Sequence, residues 1–142
     1  MSNTYPHNAK SVFLSCIDDR LVAADAQFAA SVGTAFHPRL AGGALSLLDP
    51  ATMPVAMQQL AIPYVLAGVT EVYLESHTGC GAYKLAGVTF ESDEAEIKRL
   101  YSDLDEAEDN ARAALIEAGA PENDVKIHTR VVDPGGNLLE RP

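Results

Sequence analysis

The sequence predicts an α/β fold in which a mostly parallel central β-sheet is flanked by helices. Short apolar runs typical of buried strands alternate along the chain with segments of helical periodicity. Such an alternation favours parallel strands covered on both faces. The chain has 142 residues, of which 47% are hydrophobic and 21% charged, so we expect a single domain over residues 1–142.

The first predicted strand and helix lie near the amino end. Residues 11–17 form a short apolar run that predicts a buried strand. Residues 21–32 repeat apolar side chains at helical spacing and predict a helix that stops at Gly33. Residues 34–40 predict a second strand, and the Ala-Gly-Gly that follows at residues 41–43 permits close backbone packing.

The middle of the chain predicts another helix and a third strand. Residues 54–66 have helical character, with Pro54 suited to the first turn. Pro63 predicts a kink or an early stop in this helix. Residues 71–76 predict a strand that runs directly into His77.

The last third of the chain predicts a long acidic helix and a final strand. The helix covers residues 93–118, with Ser92 as its N-cap and Gly119 as its stop. Its acidic side chains are most simply a solvated face. Residues 125–132 predict the strand, and residues 133–137, Asp-Pro-Gly-Gly-Asn, predict a turn.

Two clusters of chemically reactive residues follow the first and third predicted strands. They are Cys-Ile-Asp-Asp-Arg at residues 16–20 and His-Thr-Gly-Cys-Gly at residues 77–81. Sites in open parallel sheets form at the carboxyl ends of the strands, so neighbouring strands would bring both clusters to one edge. Two thiolates and an imidazole are a donor set that holds a catalytic zinc with the fourth position open. Asp18 and Arg20 are close enough for paired hydrogen bonds.

Most of these candidates also have a structural interpretation. Cys16 and Cys80 could form a disulfide, although a reducing compartment and the nearby histidine favour metal. Asp18 and Arg20 could be a structural ion pair. Arg39 either binds an anion or ties a dimer together, and the sequence does not separate these roles.

Charge and hydropathy exclude several kinds of partner. Twenty acidic residues against ten Lys and Arg give a net charge of -10. Such a surface repels nucleic acid and anionic membranes, so we expect neither as a partner.

Residues 1–10 hold no apolar run suited to a signal peptide, and no stretch approaches the roughly 18 apolar residues of a membrane span. We therefore expect a cytoplasmic protein.

The two clusters resemble the signature of the beta-class carbonic anhydrases. That family has Cys-x-Asp-x-Arg, found here at residues 16–20, followed by His-x-x-Cys, found here at residues 77–80. Residues 39–43, Arg-Leu-Ala-Gly-Gly, resemble its Arg-Asn-Ala-Gly stretch. Leu40 stands where the family usually has Asn, and Ser76 stands where Gly usually precedes the His. The chain therefore resembles a compact, divergent member.

The resemblance implies the family's fold and a homodimer or higher oligomer whose sites lie near the subunit interface. It also implies a zinc ion, Zn²⁺, bound by Cys16, His77 and Cys80. The activity it implies is the reversible hydration of carbon dioxide to bicarbonate and a proton, with Asp18 and Arg20 as the catalytic dyad.

The chemistry of the site agrees with that activity. Zinc lowers the pKa of bound water toward about 7, and Asp18, fixed by Arg20, would orient the resulting hydroxide for attack. Two alternatives remain open. One is hydrolysis of a related small molecule such as carbon disulfide or carbonyl sulfide, and the other is a non-catalytic zinc-binding module.

Overall fold

The computed structural model describes residues 6–142, which contain a single four-stranded sheet. Its strands in chain order are β1 (Ser11–Leu14), β2 (Glu71–His77), β3 (Lys126–Val132) and β4 (Leu138–Leu139). The strands lie in the order β1-β2-β3-β4, with β1, β2 and β3 parallel and β4 antiparallel to β3. The predicted α/β fold with a mostly parallel sheet is confirmed.

Four α-helices connect these strands within residues 6–142. They are α1 (Val22–Ser31), α2 (Met53–Ala67), α3 (Gly81–Leu85) and α4 (Asp93–Glu117). Two 3₁₀ turns, Asp19–Leu21 and Gly43–Leu47, complete the connections. The predicted cap of α4 is present, since the Ala95 N–H donates to the Ser92 hydroxyl over 3.1 Å. No helix in this part of the chain is long and apolar enough to cross a bilayer.

The sheet is covered on both faces. Helices α2 and α4 pack against each other and bury the main core, in which Val12 and Leu14 of β1 meet Val72 and Leu74 of β2. On the opposite face, Phe28 of α1 makes edge contacts with the rings of Phe13 and Tyr73. Because successive strand residues point to opposite faces, the two apolar layers use alternate positions.

The predicted strand at residues 34–40 does not form a continuous ladder. The segment runs beside β1 and makes only two isolated bridges, Val12 with Phe36 and Ser15 with Arg39. Pro38 lies between the two bridges and has no N–H to donate, which accounts for the interruption. The predicted strand at residues 34–40 is therefore wrong, because the segment lies along the edge of the sheet without forming a regular strand.

Helix α2 also differs from the prediction at Pro63. The helix continues through this buried proline to Ala67 and ends at Gly68, so the predicted early stop is wrong. Proline removes one backbone hydrogen bond, but packing against α4 and the sheet supplies most of the stability of such a helix.

Candidate metal centre

The ends of β1 and β2 bring the two clusters together. The strands are adjacent and parallel, with Leu14 opposite Leu74, so both chains leave the sheet at the same edge. Cys16 follows β1, His77 is the last residue of β2, and Cys80 directly precedes α3. One donor atom from each of these three side chains lies within 4.8 Å of the other two. All three residues are buried.

The imidazole of His77 is oriented for a further ligand. Its Nδ1 lies 2.8 Å from the Thr78 carbonyl oxygen, which can only accept, so Nδ1 carries a proton and Nε2 is the acceptor in the neutral ring. Nε2 is buried and has no hydrogen-bond partner. Metal-binding histidines usually donate their second ring N–H to such a carbonyl. The orphaned Nε2 beside two thiols therefore fits a metal ion.

The two cysteines form a coupled pair of free thiols. The neighbouring Cys80 thiol lowers the pKa of Cys16 to about 4. The same contact with Cys16 raises the pKa of Cys80 above its ordinary value. The contact therefore favours loss of the proton from one of the two sulfurs, and metal binding releases the protons that remain on its thiol ligands.

Asp18 and Arg20 form a bidentate ion pair at the edge of this cluster. Arg20 Nε donates to Asp18 Oδ1 over 3.0 Å, and Nη2 donates to Oδ2 over 2.7 Å. The Arg20 side chain lowers the pKa of Asp18 to about 2, so the carboxylate is ionised at neutral pH. Asp18 Oδ2 also lies 3.7 Å from His77 Nε2. The pair therefore directs a fixed carboxylate toward the three donor side chains.

Local structure explains why this pair needs the Asp-x-Arg spacing. Asp18 is the N-cap of the 3₁₀ turn Asp19–Leu21 and accepts from the Arg20 backbone N–H over 2.9 Å. The turn places the Arg20 side chain beside the carboxylate that caps it. The backbone and side chain of one arginine thus hold the same carboxylate.

Arg39 and Gly43 fix the backbone around Cys16. Arg39 donates to the carbonyl oxygens of Cys16 and Asp18 over 3.2 and 2.9 Å. Gly43 has φ +58°, and a Cβ there would lie 2.4 Å from the Glu75 carbonyl oxygen. The expected close packing at residues 41–43 is therefore present, and only glycine fits at Gly43.

A cluster of ionisable side chains beneath α1, in which Asp25 and Glu75 are buried, has no counterpart in the sequence prediction. Glu75 and Arg130 are register partners on β2 and β3, and Arg130 Nε lies 3.1 Å from Glu75 Oε2. Burial and the neighbouring Asp25 carboxyl raise the pKa of Glu75 to about 9. The guanidinium of Arg130 also lies 3.8 Å from the centre of the Phe28 ring. The register of β2 and β3 creates the pairing of Glu75 with Arg130, so neither residue indicates it in the sequence alone.

Helix α4 contributes two further contacts that the sequence does not reveal. The Gly79 backbone N–H donates to Glu96 Oε2 over 2.8 Å. The buried Tyr83 hydroxyl donates to Asp103 Oδ2 over 2.5 Å. An open cleft of about 500 Å³ lies between this helix and the Cys80 side of the cluster. The acidic helix therefore forms one wall beside the candidate metal centre.

Solved structures match this chain in fold. A beta-carbonic anhydrase from Aspergillus fumigatus is 16% identical, with 94% of this chain and 75% of that chain covered at a TM-score of 0.57. A carbonic anhydrase from Streptococcus mutans is 22% identical, with 100% and 88% covered at a TM-score of 0.54. The apo form of a carbon disulfide hydrolase is 18% identical, with 95% and 79% covered at a TM-score of 0.51.

No protein-family model matches the chain, and no curated protein matches it in sequence. At sequence identities this low, the structural matches establish the architecture alone, and the activity has to be argued from the site. The parallel sheet, its flanking helices and the matches to the two carbonic anhydrases above agree on one conclusion. This chain has a beta-carbonic-anhydrase-like fold.

Proposed function

We propose that this protein is a zinc-dependent carbonic anhydrase, which hydrates carbon dioxide reversibly to bicarbonate and a proton. One observation carries the proposal: the buried donors of Cys16, His77 and Cys80 converge beside a carboxylate that Arg20 holds ionised. The similarity in fold to carbonic anhydrases supports the same reaction.

Cys16, His77 and Cys80 would hold the zinc ion. Two sulfurs and one imidazole nitrogen are ligands that zinc prefers, and three protein ligands leave a fourth position open. Bound zinc supplies a Lewis acid that makes water acidic enough to act as a nucleophile at neutral pH.

Asp18 would orient the attacking water. Its carboxylate is ionised and faces the donor cluster, so it would accept a hydrogen bond from a water molecule bound there. Arg20 holds both carboxylate oxygens and thereby limits the directions in which Asp18 can accept. Such positioning groups contribute about 10²–10⁴-fold to the rate of proton-transfer reactions.

The reaction that these residues promote balances without a further reagent. A bond forms between the water oxygen and the carbon of carbon dioxide, and one carbon–oxygen π pair moves onto oxygen. The water loses one proton to solvent, and bicarbonate leaves. The reverse reaction retraces the same steps.

Hydrolysis of carbon disulfide or carbonyl sulfide is a second candidate, supported by the similarity in fold to a carbon disulfide hydrolase. These linear molecules offer an electrophilic carbon to the same nucleophile. A non-catalytic zinc-binding module is the third possibility, and it differs from both enzymes in requiring no open position on the metal.

We also propose that the protein is a cytoplasmic homodimer or higher oligomer. Two free cysteines suit a reducing compartment. Leu85 at the end of α3 is 93% exposed and lines an apolar cleft with Ala41, Leu45, Leu48 and Ala82. Exposed apolar surface of this kind favours coverage by a second copy.

Stopped-flow assays on zinc-loaded protein test the proposal. We expect proton release from carbon dioxide well above the buffer rate, and little sulfide release from carbon disulfide. Sulfide release without carbon dioxide hydration would favour the second candidate. A fully zinc-loaded protein with neither activity would favour the non-catalytic module.

A further inference from the structure

The turn that joins His77 to Cys80 is held from both sides at Gly79. On one side, Arg20 Nη2 donates to the Gly79 carbonyl oxygen over 3.2 Å. On the other, the Gly79 N–H donates to Glu96 Oε2 over 2.8 Å. Gly79 thus lies between two of the proposed ligands, and both its backbone polar groups have side-chain partners.

This turn has few other restraints at Gly79. The residue is exposed, and its φ of +67° lies in the left-handed region that glycine adopts freely. Glycine also loses more conformational freedom than other residues when it is ordered. A side chain that bonds the Gly79 N–H therefore restricts the part of the turn that would otherwise move most.

Glu96 reaches this turn from a rigid support. It lies in the first turn of α4, whose start is fixed by the Ser92 cap. Glu96 itself contributes to that start, because its backbone N–H donates to the Ser92 carbonyl oxygen over 3.1 Å. Buried residues along α4, including Leu100, Leu104 and Ala107, hold the helix against the core. The position of Glu96 is thus set by packing remote from the cluster.

We propose that Glu96 is a positioning residue that ties α4 to the turn between His77 and Cys80 and so tightens the metal centre. The inference rests on the proposed zinc site. An anionic acceptor forms a stronger hydrogen bond with a backbone N–H than a neutral acceptor does. Removal of a side chain that bonds a metal ligand directly typically weakens metal affinity by about 10- to 100-fold, and Glu96 acts through the backbone between two such ligands. One carboxylate of the acidic helix α4, that of Glu96, thus has a specific role in holding this turn.

Three variants separate this role from a general loss of negative charge. Glu96→Ala removes the acceptor, whereas Glu96→Gln keeps an oxygen that can accept from Gly79. Glu94→Ala is the matched control, because Glu94 lies in the same helical turn and its exposed side chain makes no hydrogen bond or ion pair within residues 6–142. Zinc affinity is measured by competition with a chromophoric chelator, and Co²⁺ absorption reports the geometry of the thiolate ligands.

We expect Glu96→Ala to lose about 10- to 100-fold in zinc affinity and to alter the Co²⁺ spectrum. Glu96→Gln should recover most of the affinity and the spectrum, and Glu94→Ala should stay within about threefold of the wild type. Unchanged affinity and spectrum in Glu96→Ala would overturn the inference, and so would equal losses in Glu96→Ala and Glu94→Ala.

Amide hydrogen exchange in the metal-free protein tests the link without any metal. The Gly79 amide should exchange slowly in the wild type and in Glu96→Gln, and fast in Glu96→Ala. Equal exchange in all three proteins would overturn the link. A wild-type protein that binds no zinc would refute the proposed function and the effect on affinity, while the exchange result would still decide whether Glu96 holds the turn.

Discussion

Arg20 and Gly79 are joined by a hydrogen bond from the guanidinium Nη2 to the carbonyl oxygen over 3.2 Å, although 59 positions separate them in sequence. The same Nη2 donates to Asp18 Oδ2. One side chain therefore links the carboxylate that follows Cys16 to the turn that carries Cys80. Loss of Arg20 should disturb both halves of the site.

Asp18→Asn should keep the fold and the metal but lose about 10²–10⁴-fold in carbon dioxide hydration. The amide carries no charge and cannot accept hydrogen bonds at both positions. Stopped-flow rates at matched zinc content measure the loss. Asp19→Asn, at the exposed neighbouring aspartate, is the control and should retain activity. Full activity in Asp18→Asn would remove Asp18 from the mechanism.

Arg20→Ala should lose a similar factor in the rate of carbon dioxide hydration as Asp18→Asn. It should also lose some stability against unfolding, because the Asp18 carboxylate loses its partner. The double variant should be little worse than either single variant, since residues that act as one unit are not additive. Multiplicative losses in the double variant would show that the two side chains act independently.

Purified protein should contain about one zinc per chain, because one Cys-His-Cys cluster is present in residues 6–142. Elemental analysis without added metal measures it. Replacing Cys16, His77 and Cys80 together by Ala should abolish the zinc, whereas His128→Ala, at an exposed histidine on β3, should not. Stoichiometric zinc in the triple variant would remove the ligand assignment.

Light scattering at micromolar concentration should give at least twice the chain mass of 15.1 kDa. Leu85→Glu should shift the protein toward monomer by placing a charge on the exposed apolar cleft beside α3. Leu138→Glu, at an exposed leucine on β4, is the matched control. A fully active wild-type monomer would contradict the proposed interface.

Gly43→Ala should destabilise the fold by at least about 2 kcal/mol, because left-handed strain adds to a contact with the Glu75 carbonyl oxygen. Gly87→Ala separates the two causes, since Gly87 has φ +76° but open space around its Cβ position. Urea unfolding measures both variants. Equal losses would show that the close approach at Gly43 contributes nothing.

Asp133 should stabilise the turn after β3 in a pH-dependent way. The Asn137 side-chain amide and backbone N–H donate to its carboxylate and lower its pKa below the ordinary value of 3.8. A lowered folded-state pKa gives stability that is full above the unfolded value and lost as pH falls through the folded value. The stability difference between the wild type and Asp133→Ala should therefore shrink below about pH 4.

Urea unfolding at a series of pH values measures this difference. Asp124→Ala is the control, because the exposed Asp124 side chain makes no hydrogen bond within the described residues. A difference between wild type and Asp133→Ala that stays constant down to about pH 3 would show that the turn does not depend on the ionised carboxylate.

The sequence by itself determined the features that depend on local chemistry. Ser92 predicts the start of α4 because its hydroxyl caps a nearby N–H, and apolar runs predict β2 and β3 to within a residue or two. The donor residues of the two clusters are also visible in sequence, because their side-chain types alone limit the metals that they suit. The Asp-x-Arg spacing likewise predicts an ion pair within one turn.

Only the tertiary structure decided which distant groups meet. The adjacency of β1 and β2 brings Cys16 to His77, and the register of β2 and β3 places Glu75 opposite Arg130. The passage of α2 through Pro63 and the contact of Glu96 with Gly79 likewise depend on packing. Local propensities amount to a few tenths of a kcal/mol to a few kcal/mol per residue, whereas burial of whole helix and strand faces decides which segments become neighbours.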